Sequence, residues 1–175
     1  AAYPIVMSLV WITTSFFFRS RWETDREERK LDADPSDAFA PFVSILIPVY
    51  NEADVIGNSI HAACTIDYPN YEVVIVNDGS SDGTSEVING FVGAGMVRVV
   101  NKATNEGRAL AINDALPCLN GEIVLIIDAD AELEPSALRY MVTHFRSGRV
   151  AAVAGNPRVK NVETFLARLQ LIGFT

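Results

Sequence analysis

Cysteine and histidine are scarce in this chain, and their positions argue against a zinc site. The two cysteines, Cys64 and Cys118, lie far apart and show no metal-ligand spacing, so we expect reduced thiols packed in the fold. His61 and His144 are isolated, and each is expected to pack or to face solvent.

Basic residues are also outnumbered. The chain has 14 Lys and Arg against 22 Asp and Glu, which gives a formal net charge of −8. General nucleic-acid binding needs a basic face, so a nucleic-acid partner is not expected. Part of the excess of acidic over basic residues lies at 23–37, where there are seven carboxylates and three basic residues. This composition is typical of a solvated linker.

Two phosphate-binding motifs are missing. The chain contains no G-x-G-x-x-G, which argues against a nicotinamide or flavin dinucleotide fold. It contains no G-x-x-x-x-G-K-[ST], which argues against a P-loop NTPase. No nucleophilic serine or cysteine motif is present either.

The first 18 residues, AAYPIVMSLVWITTSFFF, carry no charged side chain. At about 1.5 Å per residue this run would span roughly 27 Å, close to a bilayer core. Arg19, Arg21 and Trp22 follow it, as is typical of a cytoplasmic interface and unlike a secretory signal. We therefore predict a transmembrane helix at 1–18 inside a longer protein, with the rest in the cytoplasm. A buried helix of a soluble domain is the alternative.

Apolar strands alternate with helical segments once the polar linker at 19–40 ends. This alternation predicts an α/β fold, with a mostly parallel sheet covered by helices on both faces. The predicted strands are 42–49, 71–77, 97–100, 122–127 and 150–154. The predicted helices are 52–66, a short helix ending near 89, 105–116 and 135–145.

Polar clusters follow three of these strands, at 48–52 (PVYNE), 77–80 (NDGS) and 128–130 (DAD). Ligands of parallel α/β sheets bind at the carboxyl ends of strands, so the three clusters are expected to meet on one edge. Asp128 and Asp130 could both ligate Mg²⁺ or Mn²⁺, since hard cations prefer oxygen and share coordination with phosphates. A metal there could neutralise a departing diphosphate. A turn with two solvated acids is the alternative.

Two further side chains are candidates for nucleotide contact. Asp78 ends the second strand, where it can accept hydrogen bonds from a base or a ribose, or instead cap the next helix. Arg108 follows Gly107 at a predicted helix start, where it can reach a phosphate oxygen or remain an ordinary surface arginine.

Four motifs together resemble the family 2 inverting glycosyltransferases, which have the GT-A fold. They occur in the family's order and at its usual spacing, and the match covers about 42–157. The motifs are 43–52 (VSILIPVYNE), 74–84 (VIVNDGSSDGT), 105–113 (NEGRALAIN) and 124–130 (VLIIDAD). The resemblance implies a Rossmann-like nucleotide-sugar-binding domain at 41–157 and the start of an acceptor-side region at 158–175.

Two other segments resemble the bacterial poly-β-1,6-N-acetylglucosamine synthases. They are 3–18 with its Arg-Ser-Arg-Trp exit, and 153–159 (VAGNPRV). The implied activity is transfer of a sugar, N-acetylglucosamine from a UDP donor, to a growing β-linked polysaccharide with inversion. The implied location is the bacterial plasma membrane, with the catalytic domain in the cytoplasm. The implied partners are the UDP-sugar donor, a polysaccharide acceptor, the lipid bilayer and a small membrane accessory subunit.

The resemblance implies a role for each matching residue. The implied donor-binding residues are Pro48, Tyr50, Glu52, Asp78, Arg108 and Asp128. The first three would line a uracil pocket, and Asp78 would bind the nucleoside.

The remaining roles concern the diphosphate and the sugar. Asp128 would approach the ribose or the sugar diphosphate, and Asp130 would ligate Mg²⁺ or Mn²⁺. Arg108 stands where the family often has lysine, and it would offer a phosphate a planar fork in place of a point charge. Arg158 would contact the sugar or the acceptor.

The family's general base and its Gln-x-x-Arg-Trp acceptor motif do not occur before Thr175. The chain is therefore expected to be a fragment that carries the donor and metal site without the general base. Two other functions remain open: transfer of a single sugar to a lipid phosphate, and a non-catalytic membrane module that binds a nucleotide sugar.

Overall fold

The structure is a computed structural model that describes residues 6–17, 39–93 and 97–155. The chain divides into two units, Ala1–Phe39 and Ala40–Thr175. In the first unit, residues 6–17 form helix α1, and the side chains along it are exposed. Among the described residues, no helix is both long enough and apolar enough to cross a bilayer. The other residues of the predicted span, the arginines that follow it and most of the predicted linker lie outside the described residues.

The second unit is built on a sheet whose described strands are all parallel. The strands are β1 (Val43–Val49), β2 (Tyr71–Asn77), β3 (Val97–Asn101) and β4 (Ile123–Ile126). Their order is β3-β2-β1-β4. Strand β1 therefore lies between β2, which follows it in the chain, and the edge strand β4, which comes last. The two central strands, β1 and β2, are buried along almost their whole length. This burial explains their continuous runs of Val, Ile and Leu.

Helices cover both faces of this sheet. The helices are α2 (Ile56–Cys64), α3 (Thr84–Val92), α4 (Arg108–Ala115) and α5 (Ala137–Thr143). On one face, Ala111 and Ala115 of α4 pack against the buried side chains of Leu46, Val74 and Val76. The fully buried contacts of α4 are alanines, which let the helix lie close to the strands, and Ile112 packs at the edge of the same cluster.

The alternate side chains of β2 point to the other face. There Asn77 donates a hydrogen bond to the Ser85 hydroxyl of α3 at 3.0 Å. Helices α2 and α3 contact each other, and a Cβ placed on Gly57 would lie 3.6 Å from Val87. The predicted α/β class, with a parallel sheet between helices, is confirmed.

The predicted fifth strand is wrong, because residues 150–155 form no strand. This stretch offers three alanines and only two valines, and most of it is exposed. It therefore has few large side chains to bury against a neighbour, which is what stabilises a strand. The first predicted helix also begins later than expected, at Ile56, after a turn at 53–55.

A carboxylate fastens the amino ends of the strands. Glu72 of β2 accepts hydrogen bonds from the Ser44 hydroxyl at 2.6 Å, the Asn120 N–H at 2.8 Å and Arg98 at 2.7 Å. Partial burial alone would raise the pKa of Glu72, but these hydrogen bonds together lower it. At the amino ends of the strands, the Glu72 carboxylate is therefore fully engaged by hydrogen bonds within the protein.

Candidate nucleotide and metal site

The strand register brings the polar clusters to one edge of the sheet. Val49, the last residue of β1, pairs with Asn77 of β2, which pairs in turn with Asn101 of β3. On the other side, Ile126 ends β4 opposite Leu46, and the Ile127 N–H donates to the Leu46 carbonyl at 3.1 Å. The segments after β1, β2 and β4 therefore leave the sheet at the same edge, as the sequence predicted.

Asn51 joins the loop after β1 to the loop after β2. Its φ is 53°, a left-handed conformation that asparagine tolerates better than most residues. The Asn51 N–H donates to the Ser80 hydroxyl at 3.0 Å, and its side-chain oxygen accepts the Ser81 N–H at 2.8 Å. The left-handed turn thus fixes the distance between two of the polar clusters.

Asp82 adds a second connection between these loops. Its carboxylate accepts the Thr84 N–H at 3.0 Å, the Thr84 hydroxyl at 2.5 Å and the Ala53 N–H at 3.3 Å. The Thr84 oxygen in turn accepts the Glu52 N–H at 3.0 Å. The hydrogen bond from the Thr84 side chain is the main reason that the pKa of Asp82 is lowered. Asp82, rather than Asp78, therefore bonds the first turn of α3.

Asp78 is almost completely buried, with 3% of its surface exposed. Its carboxylate accepts the Gly107 N–H at 2.8 Å and the Glu106 N–H at 3.2 Å, and Lys102 Nζ lies 3.5 Å away. Buried carboxylates of this kind are stabilised by charge-assisted hydrogen bonds. Asp78 therefore holds the segment that leads into α4.

Gly79 allows that segment to approach the tip of β2. Its φ is 69°, and a Cβ at this position would lie 2.7 Å from the Thr104 carbonyl carbon and 2.8 Å from the Asn105 nitrogen. Both are backbone atoms, which cannot move aside by changing a rotamer. Only glycine fits this conformation and this separation.

Arg108 is the first residue of α4, directly after Gly107, so the helix begins three residues later than the predicted start at Asn105. Its guanidinium forms an ion pair with the Asp128 carboxylate, and the two side chains are 56% and 53% exposed. Asp78 is connected to this pair through the backbone at Glu106 and Gly107. The structure therefore brings three predicted residues, Asp78, Arg108 and Asp128, to one place on the sheet edge.

Asp130 and Asp128 flank Ala129, which is buried and accepts a hydrogen bond from the Ser59 hydroxyl at 2.6 Å. With Ala129 drawn inward, both aspartates are exposed on the turn that follows β4. Within the part of the chain that the structure describes, no group of three or more His, Cys, Asp or Glu is placed to hold a metal. Magnesium sites commonly use one or two carboxylates together with phosphate oxygens and water, and these two aspartates are of the ligand type that such a site needs.

Of the predicted uracil-pocket residues, Pro48 lies in β1, and Tyr50 and Glu52 lie on the segment that follows it. Tyr50 is 44% exposed, while Pro48 and Glu52 are half-buried. The Tyr50 side chain is therefore accessible from solvent at this edge of the sheet. Arg158 lies outside the described residues.

A polar pocket of about 320 Å³ adjoins this edge on the α3 side of the sheet. Its lining is mainly amide and hydroxyl groups, with Ile88 and Val99 as apolar members. The polar lining residues are Asn77, Ser80, Ser85, Asn89, Asn101 and Lys102. The pocket shares Gly79 and Ser80 with the loop after β2, so it borders the site without containing its carboxylates.

Residues 44–174 match the model of glycosyl transferase family 2. The chain belongs to this family. Its curated relatives in the family include poly-β-1,6-N-acetyl-D-glucosamine synthases of two staphylococci. The Staphylococcus epidermidis protein is 32% identical over 173 residues, which cover 98% of this chain and 42% of that protein. The Staphylococcus aureus protein is 30% identical over 174 residues, with the same coverage. The chain thus spans less than half the length of these relatives.

Two solved structures are similar to this chain in their GT-A-like fold. The mannosyltransferase PcManGT from Pyrobaculum calidifontis, in complex with GDP-Man and Mn²⁺, aligns with a TM-score of 0.61 at 30% identity, covering 78% of this chain and 43% of that one. Staphylococcus aureus TarS, residues 1–349 in complex with UDP-GlcNAc, aligns with a TM-score of 0.57 at 23% identity, covering 69% and 38%. The second likeness is one of fold alone.

Three residues that organise this family 2 site were not singled out from the sequence: Asn51 as a loop connector, Asp82 and Lys102. The spacing of Asp82 and Thr84, typical of a side chain that bonds the backbone two residues on, could have indicated the Asp82 turn. Lys102 has a local partner, Glu106 four residues on, but its contacts with Asp78 and Asp114 depend on the fold and gave no signal in the sequence.

Proposed function

We propose that this chain forms the donor site of a glycosyltransferase that transfers N-acetylglucosamine from its UDP conjugate to a growing β-linked polysaccharide, with inversion. The observation that carries the proposal is the Arg108–Asp128 pair at the tip of β4, connected to Asp78 through the backbone at 106–107. The synthases that match 98% of the chain support the sugar and the polymer.

Arg108 is suited to hold the diphosphate. Its guanidinium projects from the start of α4, where the helix N-terminus also favours negative charge. Its partner in the structure is a carboxylate, which a phosphate resembles in charge and in its ability to accept two hydrogen bonds. We infer that the diphosphate takes the place of Asp128 on Arg108, which releases Asp128 toward the ribose or a cation.

Asp128 and Asp130 would hold the cation, Mg²⁺ or Mn²⁺. A divalent ion there would neutralise the charge of the departing diphosphate. The 30%-identical mannosyltransferase, whose structure contains Mn²⁺, supports this assignment. Pro48, Tyr50 and Glu52 are proposed to line the base pocket, with Tyr50 stacking on uracil.

The binding experiment is calorimetry of the full chain with UDP-N-acetylglucosamine in the presence of MnCl₂. We expect binding that weakens at least about tenfold, roughly 1.4 kcal/mol, when Mn²⁺ is removed or Asp130 is replaced by alanine. The reason is that, without the cation, the negative diphosphate is repelled by the carboxylates that remain at this edge of the sheet. GDP-mannose is expected to bind more weakly than the UDP sugar.

The matched control is Asp54→Ala, which removes the same charge from an exposed position in the turn after β1. It should keep the affinity of the wild type. If Asp130→Ala binds as tightly as the wild type in Mn²⁺, the metal assignment is wrong. Tighter binding of GDP-mannose would contradict the proposed donor.

We further propose that the first unit attaches the protein to the bacterial plasma membrane, with the second unit on the cytoplasmic side. Helix α1 exposes large apolar side chains, including Trp11 and Phe16. The hydroxyls of Thr13 and Thr14 donate to carbonyls of their own helix at 2.7–3.1 Å, so they need no water. Satisfied hydroxyls are what an apolar lipid environment requires.

The membrane proposal predicts that the full chain sediments with vesicles of phosphatidylethanolamine and phosphatidylglycerol. The double substitution Val10→Asp and Phe16→Asp should reduce the bound fraction at least fivefold, because each charge costs about 2.5–3.5 kcal/mol within the bilayer. The control is Leu110→Asp with Leu116→Asp, which places the same charges at exposed apolar positions of the second unit. Equal loss in both variants would contradict a specific role for α1.

A further inference from the structure

Lys102 lies at the centre of a cluster of carboxylates next to the proposed donor site. It directly follows β3, and its side chain is only 9% exposed. Its Nζ lies 2.7 Å from Glu106 Oε2, 2.7 Å from Asp114 Oδ2 and 3.5 Å from Asp78 Oδ1. One ammonium group therefore faces three carboxylates that belong to three different segments of the chain.

The charge state of Lys102 follows from these partners. Burial alone would lower the pKa of a lysine, but the carboxylates of Asp114 and Glu106 raise the pKa of Lys102. The side chain is therefore a cation at neutral pH. Its own backbone is fixed as well, since the Lys102 N–H donates to the Asn77 carbonyl at 2.9 Å.

The three partners surround the segment that delivers Arg108. Asp78 binds the N–H groups of Glu106 and Gly107, directly before α4 begins. Asp114 lies in the last turn of the same helix. Lys102 thus connects the tip of β2 to both ends of α4, and α4 starts with the arginine that pairs with Asp128.

We propose that Lys102 is a positioning residue of the donor site. It holds Asp78, Glu106 and Asp114 together, so that the N–H groups at 106 and 107 and the guanidinium of Arg108 keep one arrangement. The role in donor binding rests on the proposed function, in which Arg108 meets the diphosphate. Without the ammonium group, three carboxylates would repel one another across this segment.

The test compares Lys102→Met with Lys102→Arg in the full chain, using amide hydrogen exchange measured by NMR. This readout needs no ligand. In Lys102→Met the amides of Glu106 and Gly107 should exchange at least tenfold faster, while the Ile75 amide in the central strand β2 keeps its rate. Lys102→Arg preserves the positive charge and should stay within threefold of the wild type.

A charge-rescue variant separates positioning from packing. Adding Glu106→Gln and Asp114→Asn to Lys102→Met removes the repulsion, and it should restore at least half of the lost protection at Gly107. If Lys102→Met does not fold, Asp114→Asn alone gives the answer. With Lys102 present this substitution removes no net repulsion but one of the two ion pairs at 2.7 Å that hold the ammonium group, and Asp114 is 53% exposed, so the core stays intact. That variant should show at least threefold faster exchange at Gly107.

Binding of UDP with MnCl₂ provides the second measurement, with affinity expected to fall at least tenfold in Lys102→Met and little in Lys102→Arg. Unchanged exchange at Glu106 and Gly107 in both Lys102→Met and Asp114→Asn would overturn the positioning role. If the triple variant restores none of the protection lost at Gly107, the positioning role is also overturned, and packing of the Lys102 side chain explains the effect. If exchange responds as expected but the wild type binds no UDP with Mn²⁺, the proposed function fails and the effect of Lys102 on the segment stands.

Discussion

Replacing Gly79 by alanine is expected to destabilise the protein by about 2–5 kcal/mol and to abolish detectable UDP binding. The left-handed φ of 69° is unfavourable for alanine, and the added methyl would lie within 2.7–2.9 Å of the backbone at Thr104 and Asn105. The strand tip and the segment before α4 must then separate. That separation moves Gly107 away from Asp78 and displaces Arg108.

Gly83→Ala is the matched control for this prediction. It lies in the same loop, but its φ is −74° and a new methyl would be 3.8 Å from the nearest atom, the Ala53 Cβ. Its effect should remain below about 1 kcal/mol, mainly through the lower preference for alanine at a helix N-cap. Urea denaturation of both variants measures the difference, and calorimetry measures UDP binding with Mn²⁺. Similar stability in the two variants would show that the close approach at Gly79 is not needed.

Removing the carboxylate of Asp78 is expected to have the second large effect. Asp78→Ala removes the acceptor of the Glu106 N–H, leaves the Gly107 N–H with the Asn105 side chain alone, and deprives Lys102 of one of its partners. Breaking a buried charged interaction from one side typically costs about 3–5 kcal/mol. Because Arg108 follows these N–H groups directly, we expect affinity for UDP with Mn²⁺ to fall by more than tenfold as well.

Asp78→Asn serves as the graded comparison. It keeps the shape and one acceptor oxygen but loses the charge, so its loss of stability should be roughly half that of Asp78→Ala. Urea denaturation and calorimetry again provide the two measurements. A variant Asp78→Ala with wild-type stability, or one that binds UDP normally, would mean that the segment at 105–107 is held by other contacts.

The parts of the fold that sequence predicted best are those determined by local pattern. The second strand, YEVVIVN, was predicted at 71–77 and is observed at Tyr71–Asn77. Its bounds are clear because a turn precedes it and polar residues follow it. By contrast, the predicted start of the helix at 105 is three residues too early, because Gly107 with a φ of 93° keeps the residues before it out of α4.

Prediction failed where a distant partner decides the local structure. Asn51 was expected to lead directly into a helix, but its bonds to Ser80 and Ser81 hold it in a left-handed turn, and α2 begins only at Ile56. The run at 150–154 contains β-branched residues, yet no described strand accepts it. A single sequence does not reveal such long-range pairings.

The candidate site also has features that could be predicted from the sequence and features that could not. The three polar strand tips could be placed together from topology alone, because parallel strands share one carboxyl edge. The burial of Asp78 under the loop at 105–107 could not, since it depends on the close approach at Gly79 and on Lys102. The roles of Asp128, Asp130 and Tyr50 toward a ligand stay predictions that the binding experiments address.

The carboxylate cluster around Lys102 has a practical consequence for anyone who redesigns this protein. Loops of glycosyltransferases are natural targets for grafting from one homologue into another, and the stretch that precedes α4 is an obvious choice. Here Glu106 of that stretch shares its partner Lys102 with Asp78, which follows β2, and with Asp114 in the last turn of α4. A graft that imports only 104–108 separates position 106 from the other charged residues of the cluster. A graft that carries 102–114 together with Asp78 keeps Lys102 with all three of its carboxylates.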